Sequence, residues 1–215
     1  MSRVRIHNLC VSLGGFAAGP EQSQDEPIGV GGGRLHAWIW DTSYGRSMIG
    51  QQGGSTGTDD AWLRRGDEGV GATVMGRNMF GPVRGPWPDH SWTGWWGEQP
   101  PYGHPVFVLT HHARPPLQML GGTVFYFVTD GLDSAIKQAR EAAGGLDVRI
   151  GGGAATVRES LKRGLVDELD VSVVPVLLGS GEQLWNDLGS WPEGYECTKI
   201  EASNAVAHLQ FGRVA

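Results

Sequence analysis

Asp147-Val148-Arg149-Ile150-Gly151-Gly152-Gly153-Ala154-Ala155-Thr156-Val157-Arg158-Glu159-Ser160-Leu161 is a short apolar strand that runs into three glycines and at once into a helix. Glycines have no side chains to pack and they cost backbone entropy. Three in a row therefore call for a tight turn or the close approach of something large. Where a strand meets a helix N-terminus, that something is often an anion, because free N–H groups and the helix dipole both favour negative charge. The stretch reads either as a phosphate or pyrophosphate site centred on Gly151 to Ala155, or as a plain strand–helix turn. It does not match the dinucleotide fingerprint G-x-G-x-x-G, since Thr156 stands where the last glycine belongs. The P-loop pattern is absent as well.

Two further junctions share its logic. The strand Ala72-Thr73-Val74-Met75 leads into Gly76-Arg77-Asn78-Met79-Phe80, and Val106-Phe107-Val108-Leu109 ends at Thr110-His111-His112. Ligands of open α/β sheets bind outside the C-terminal ends of strands, so the three junctions converge on one cleft if their strands are neighbours. Gly76 and Gly151 would then offer backbone donors to a pyrophosphate, and Arg77 a charge-assisted contact. Thr110, His111, His112 and Arg114 would hold an extra phosphate. The competing readings are a surface ion pair for Arg77 and a solvated loop histidine for His111.

Other elements follow from periodicity. Val4, Ile6, Leu9, Val11 and Leu13 mark a strand over residues 3 to 13, with a break in alternation at His7-Asn8. Thr58 is the expected N-cap of a helix running to about Glu68, with Asp59 and Asp60 in its first turn. Thr123 to Val128 is a strand. Leu132, Ile136, Ala139 and Ala143 form a helical stripe, and Val157 and Leu161 mark the face of another helix. Leu169 to Leu178 is a long apolar strand. Tyr195 to Glu201 and Ala205 to Val214 form a hairpin across Ser203-Asn204. Residues 19 to 58 read as an irregular span, a candidate lid. Residues 81 to 105, with Trp87, Trp92, Trp95 and Trp96, read as an ordered loop whose aromatics pack on the body or on a ligand. Alternating strands and helices predict an α/β fold with a mostly parallel sheet covered on both faces and an antiparallel edge.

Composition narrows the function classes. At 215 residues a single domain over 1–215 is the natural expectation. No apolar run reaches roughly 18 residues, and the N-terminus shows no signal-peptide pattern, so a cytoplasmic protein is expected. Cys10 and Cys197 are the only cysteines, which provides no disulfide framework and no cysteine metal site, and no metal is expected. The net charge of −6 without a basic run speaks against nucleic acid.

Taken together, five segments make the chain recognisable: Val11-Ser12-Leu13-Gly14-Gly15-Phe16-Ala17-Ala18-Gly19, Val74 to Phe80, Val106 to His111, Ile150-Gly151-Gly152-Gly153-Ala154, and Gly164 to Leu169 leading to Pro175-Val176-Leu177-Leu178-Gly179-Ser180-Gly181. In order and spacing they resemble the dihydrofolate reductase-like superfamily across nearly the whole chain. The branch is that of the reductase (C-terminal) domain of bacterial riboflavin biosynthesis. Gly14 departs from the acidic residue that the family often carries there.

The resemblance implies a three-layer fold around a mixed, mostly parallel sheet with NADPH lying across it. It implies that Ala17 and Ala18 lie near the nicotinamide, that Gly76, Arg77 and Asn78 hold the pyrophosphate, and that Thr110 and His111 lie beside the 2′-phosphate. The turn Ile150, Gly151, Gly152, Gly153, Ala154 and Ala155 would cross under the cofactor. Asp60, sixteen residues before Gly76, resembles in spacing the carboxylate that binds the pterin ring in dihydrofolate reductases. Asp59 and Asp41 are alternatives, and a ligand-free helix-start carboxylate is the bland one. The implied activity is an NADPH-dependent reductase acting on a C=N bond of a pterin- or pyrimidine-like molecule, as a homodimer. The rival is a nucleotide-binding protein without catalysis.

Overall fold

The computed structural model describes residues 2–82, 84–189 and 193–214. In chain order the strands are β1 (Val4–Ser12), β2 (Phe16–Ala18), β3 (Val70–Gly76), β4 (Pro105–Leu109), β5 (Leu117–Gln118), β6 (Val124–Val128), β7 (Asp147–Ile150), β8 (Glu168–Val174), β9 (Glu182–Gln183), β10 (Tyr195–Ala202) and β11 (Ala207–Arg213). The helices are α1 (Ser43–Met48), α2 (Thr58–Asp67), α3 (Arg77–Phe80), α4 (Leu132–Ala142) and α5 (Ala154–Lys162). The chain divides into two compact units, one of Met1–Arg5 with Gly69–Leu165, the other of Ile6–Glu68 with Val166–Ala215.

In the first unit the start of β1 is followed across the ladder by β7, β3, β4, β6 and β5. All pairs are parallel except β5 with β6. Parallel strands are buried on both faces, which is why their sequences are almost continuously apolar: Val74, Met75, Val106, Val108 and Phe125 are fully buried. Helix α4 presents Leu132, Ala135, Ile136 and Ala139 to the interior and packs on β3, β4 and β7. The predicted stripe is thus its buried face. Arg3, just before β1, and Arg5, within it, fasten Asp147 at the start of β7, at 3.1 and 2.9 Å. Burial opposes the Asp147 charge, but the Arg3 N–H and the two guanidiniums outweigh it and hold the carboxyl below its ordinary range.

Among the described residues, the segment from 81 to 104 contains no helix or strand, as expected. Its tryptophans pack on the body: Trp87, Trp92 and Trp96 lie against a core of Met75, Phe80, Val106, Val108 and Phe125. Trp87 and Trp92 also satisfy their indole N–H groups, on His112 O and Phe80 O, both at 2.9 Å.

The second unit has the ladder β10, β11, β8, β1, in which β10 with β11 and β11 with β8 are antiparallel. The expected C-terminal hairpin is therefore present. The expected break in β1 is present too: Asn8 has φ 57, a conformation asparagine tolerates better than most, and its amide donates to Leu63 O at 3.2 Å. Three expectations need correction. The span 19–58 is not an irregular lid. It contains 3-10 turns at Gly32–Leu35 and Ala37–Asp41 and helix α1, and its Leu35, Trp38 and Ile39 join Cys10, Leu63, Val174 and Val206 in the core. Burial there pushes the Cys10 thiol up to about 12, which leaves it an inert packing group. Thr58 is the first residue of α2 rather than its cap. Gly57 takes the cap position, with no side-chain bond. The strand expected over 169–178 ends at Val174.

A charged row on β1 and β8 lies within this unit. His7 Nε2 is 2.6 Å from Glu168 and its Nδ1 3.6 Å from Asp170, while Arg65 of α2 reaches Asp170 at 2.5 Å. Asp170 is 1% exposed, and burial raises its carboxyl despite the opposing His7 and Arg65. Among the described residues, no helix is long and apolar enough to cross a membrane.

Candidate functional site

Strands β7, β3 and β4 are consecutive neighbours in the first unit, so all three strand-end junctions open on one edge. The register sets Val74 beside Ile150 and Gly76 beside Leu109, which brings Gly76, Thr110 and Gly151 together. The convergence that sequence spacing could only make conditional is a consequence of this strand order.

The donors at the edge are not those expected. The Gly151 N–H donates to Val74 O and the Gly76 N–H to Gly152 O, both at 2.8 Å, so both are engaged by the protein itself. The available backbone donors come one step later. The first helical hydrogen bond of α5 runs from Val157 N–H to Gly153 O at 3.1 Å, and no side chain caps the helix. By helix geometry the first-turn N–H groups of Ala154, Ala155 and Thr156 have no intrahelical partner. Ala154 is buried and Ala155 exposed.

The glycines separate into different roles. A Cβ on Gly76 would stand 2.7 Å from Thr156 Oγ1, and one on Gly151 3.0 Å from Thr73 Cγ2. These two permit close packing of strand ends, and Thr156 occupies the space that Gly76 vacates. Gly152 has φ +111, a region that side chains strongly disfavour, and the Gly152–Gly153 peptide is cis. Beside Gly153, in contrast, a Cβ would meet nothing within 4 Å. The last glycine thus borders open space at an uncapped helix start, and packing does not account for it.

Arg77 does not make the surface ion pair of its bland reading. Its Nη1 donates to Thr110 Oγ1 at 2.8 Å and its Nη2 to Gly85 O at 3.3 Å, while the guanidinium carbon sits 3.2 Å from the Trp87 ring centroid. Its Nε is buried without a partner. Arg114, 8% exposed, donates from Nη2 to His90 O at 2.9 Å and leaves Nη1 buried and unpartnered. Burial, and then the Arg114 and Arg84 charges, lower the Arg77 pKa; burial lowers that of Arg114 against the pull of Asp89. Neither guanidinium has a carboxylate bonded to it among the described residues. Charges partly withdrawn from water with no carboxylate bonded to them are costly, and an anion arriving here would relieve that cost.

The remaining predicted residues fall as follows. Thr110 is buried and accepts the N–H of His112 at 3.2 Å, His111 is exposed and His112 half-buried. Asn78 belongs to the single turn α3, and its carbonyl accepts the Trp95 N–H at 3.3 Å. Ile150 is buried in β7. The other three lie in the second unit. Ala17 and Ala18 are in β2, which pairs with β9. Asp60 is 4% exposed, and both its oxygens have partners: the Tyr44 N–H at 2.5 Å and Arg64 Nε at 2.8 Å. Asp59 accepts from Ser203 at 2.8 Å and lies 3.0 Å from His208 Nε2. The role of Trp87 was invisible in the sequence, where nothing marks one tryptophan of four as the partner of Arg77.

Residues 5–209 match the RibD C-terminal domain family. Among solved structures, a candidate riboflavin biosynthesis protein of Shewanella sp. PV-4 superposes with a TM-score of 0.61 at 23% identity over 100% of both chains. A diaminohydroxyphosphoribosylaminopyrimidine deaminase/5-amino-6-(5-phosphoribosylamino)uracil reductase of Thermotoga maritima superposes with a TM-score of 0.56 at 10% identity, over 99% of this chain and 57% of its own. At these identities the likeness is one of fold. No curated protein matches the sequence.

Proposed function

The chain belongs to the RibD C-terminal domain family, and from that membership and the strand-end geometry we propose that it is a reductase that uses NADPH to reduce a C=N bond in a pterin- or pyrimidine-like molecule. The carrying observation is the edge of the first unit, where an uncapped helix start, the open space beside Gly153 and two guanidiniums with no bonded carboxylate among the described residues, that of Arg77 half-buried and that of Arg114 buried, lie at adjoining strand ends. Those residues fit a phosphate-rich dinucleotide. Gly76, Arg77 and Asn78 with Ile150, Gly151, Gly152, Gly153, Ala154 and Ala155 are assigned to the pyrophosphate, and Thr110, His111 and His112 to the 2′-phosphate. When bound, NADPH supplies the hydride. The chain's own part is to fix the phosphates by first-turn N–H groups and guanidiniums, and so to hold the dinucleotide in one orientation.

Ala17 and Ala18 are assigned to the nicotinamide and Asp60 to the substrate proton. In that role Asp60→Asn lowers turnover and leaves NADPH affinity intact; full activity of the variant would remove it from the mechanism. One observation favours a second reading. Both Asp60 oxygens are engaged by Tyr44 and Arg64, as in a nucleotide-binding protein that lacks this proton donor. Mixing the protein with NADPH and a panel of dihydropteridines and ribosylamino-pyrimidines, and following absorbance, separates the two. Turnover supports the reductase, binding without turnover supports the second reading, and absence of NADPH binding refutes both. We further propose a cytoplasmic homodimer with a single domain over 1–215, from the family resemblance; a monomeric mass in sedimentation would refute the dimer.

A further inference from the structure

Trp87 touches every part of the cationic corner of the edge. The Arg77 guanidinium lies 3.2 Å from its ring centroid and the Arg114 guanidinium 5.1 Å from it. Its indole N–H donates to His112 O at 2.9 Å, which ties the ring to the strand end that Thr110 opens. Phe80 and Phe127 complete the surround, with ring centroids 5.9 and 5.4 Å from Trp87 and the Arg114 guanidinium within 5.5 and 5.1 Å of their own centroids. The same loop supplies the carbonyls of Gly85 and His90 that accept from Arg77 and Arg114.

Arg77 and Arg114 repel one another, and water would normally screen them. Here an aromatic face rather than a bonded carboxylate lies against both guanidiniums, and Asp89 acts on Arg114 without a hydrogen bond to it among the described residues. A π face attracts a cation without neutralising it, so the positive charge stays available to a third party. A carboxylate in the same place would close the site to anions. The unpartnered Arg77 Nε and Arg114 Nη1 point to the same shortage, because each guanidinium still has a hydrogen bond to gain. The Arg77 bond to Thr110 directs this charge to the β4 end rather than to the glycine turn, so the inference moves Arg77 from the pyrophosphate, where the family resemblance puts it, to the 2′-phosphate.

We propose that Trp87 is a positioning residue that holds Arg77 and Arg114 as a cation pair for a phosphate monoester, and thereby sets a preference for NADPH over NADH. The inference rests on the dinucleotide reading above. It gives the tryptophan loop a role: its ring orders the two charges that distinguish a 2′-phosphate from a hydroxyl.

The test is titration of NADPH and NADH, separately, into the wild type, Trp87→Leu and Trp87→Phe, with circular dichroism melting of each variant. The wild type is expected to bind NADPH more tightly than NADH. Trp87→Leu is expected to lose about tenfold in NADPH affinity with NADH affinity unchanged, and Trp87→Phe, which keeps a π face, to retain most of the preference. A loss equal for both dinucleotides would show a merely structural ring and overturn the inference. Equal affinity of the wild type for both would also overturn it, while leaving a dinucleotide site in place. Binding of neither would refute the dinucleotide reading itself. If Trp87→Leu does not fold, Trp87→Phe decides: a fall of about two- to threefold in the NADPH to NADH affinity ratio supports the inference, through the lost N–H bond to His112 and the weaker π face of phenylalanine, and an unchanged ratio overturns it.

Discussion

Arg77→Met is expected to separate binding from stability. In the folded chain Arg77 has two hydrogen bonds, to Thr110 at 2.8 Å and Gly85 at 3.3 Å, and one aromatic contact. Against these stand its partial burial and the repulsion of Arg114 and Arg84, which lower its pKa. Methionine fills the same channel against Trp87 without carrying charge, so the two sides offset and stability changes by no more than about 1 kcal/mol. Affinity has no such offset. Of its five N–H groups two are bonded, and Nη1 and Nη2 each keep a second one, which allows at least a single charge-assisted hydrogen bond to a phosphate, about 1.5–3 kcal/mol. The NADPH dissociation constant should therefore rise by about ten- to a hundredfold. Calorimetric titration with NADPH reads the affinity, and urea unfolding reads the stability. An unchanged dissociation constant would remove Arg77 from the site. A stability loss of several kcal/mol would show that the guanidinium is there for the fold, and the reasoning about unpaired buried charge would fail with it.

Three further outcomes are expected. Burial pushes the His36 imidazole down to about 4, so the unfolded chain takes up a proton near pH ~6.5 that the folded chain refuses. Stability should fall as pH drops from there toward 4, by no more than about 2 kcal/mol at pH 5; urea midpoints of wild type and His36→Leu across this range check it, and identical slopes would contradict it. Gly152→Ala places a side chain at φ +111 and 3.3 Å from Met79 Sδ, which should cost about 1–3 kcal/mol and lower the thermal midpoint. Arg65→Met leaves the buried Asp170 with His7 as its one remaining ion-pair partner among the described residues, at a cost of about 2–3 kcal/mol. Adding Asp170→Asn should recover part of that loss, and strictly additive losses would refute the pairing.

Legibility in the sequence followed the length scale of each interaction. Strands β3, β4 and β7 were readable because parallel pairing demands apolar runs, and their glycine or threonine ends mark where the chain leaves the sheet. The neighbour relation of the three strands, on which the site depends, came from family resemblance rather than from any local signal. Residues 19–58 read as irregular because 3-10 turns such as Gly32–Leu35 are too short to show a period, and the apolar patch Trp38-Ile39-Trp40 is too short to mark an element by itself. Gly76 and Gly151 were visible as a turn, but that their N–H groups serve the fold required the register of the sheet. The Arg77–Trp87 contact and the engagement of Asp60 by the Tyr44 backbone join residues that no sequence pattern connects.

Strand β1 belongs to both units, and the second unit is assembled from segments at the two ends of the chain, Ile6–Glu68 and Val166–Ala215. During synthesis the first of these emerges early and waits for about a hundred residues before strand β8, its partner across the ladder, exists. Throughout that interval Leu35, Trp38, Ile39 and Leu63 lack the Val174 and Val206 that cover them in the finished core. The Gly69–Leu165 segment, contiguous apart from its short N-terminal contribution, is free to collapse first. A nascent chain of this topology keeps the apolar side chains of its Ile6–Glu68 segment uncovered until the Val166–Ala215 segment arrives, so chaperone dependence should track the speed of that delivery.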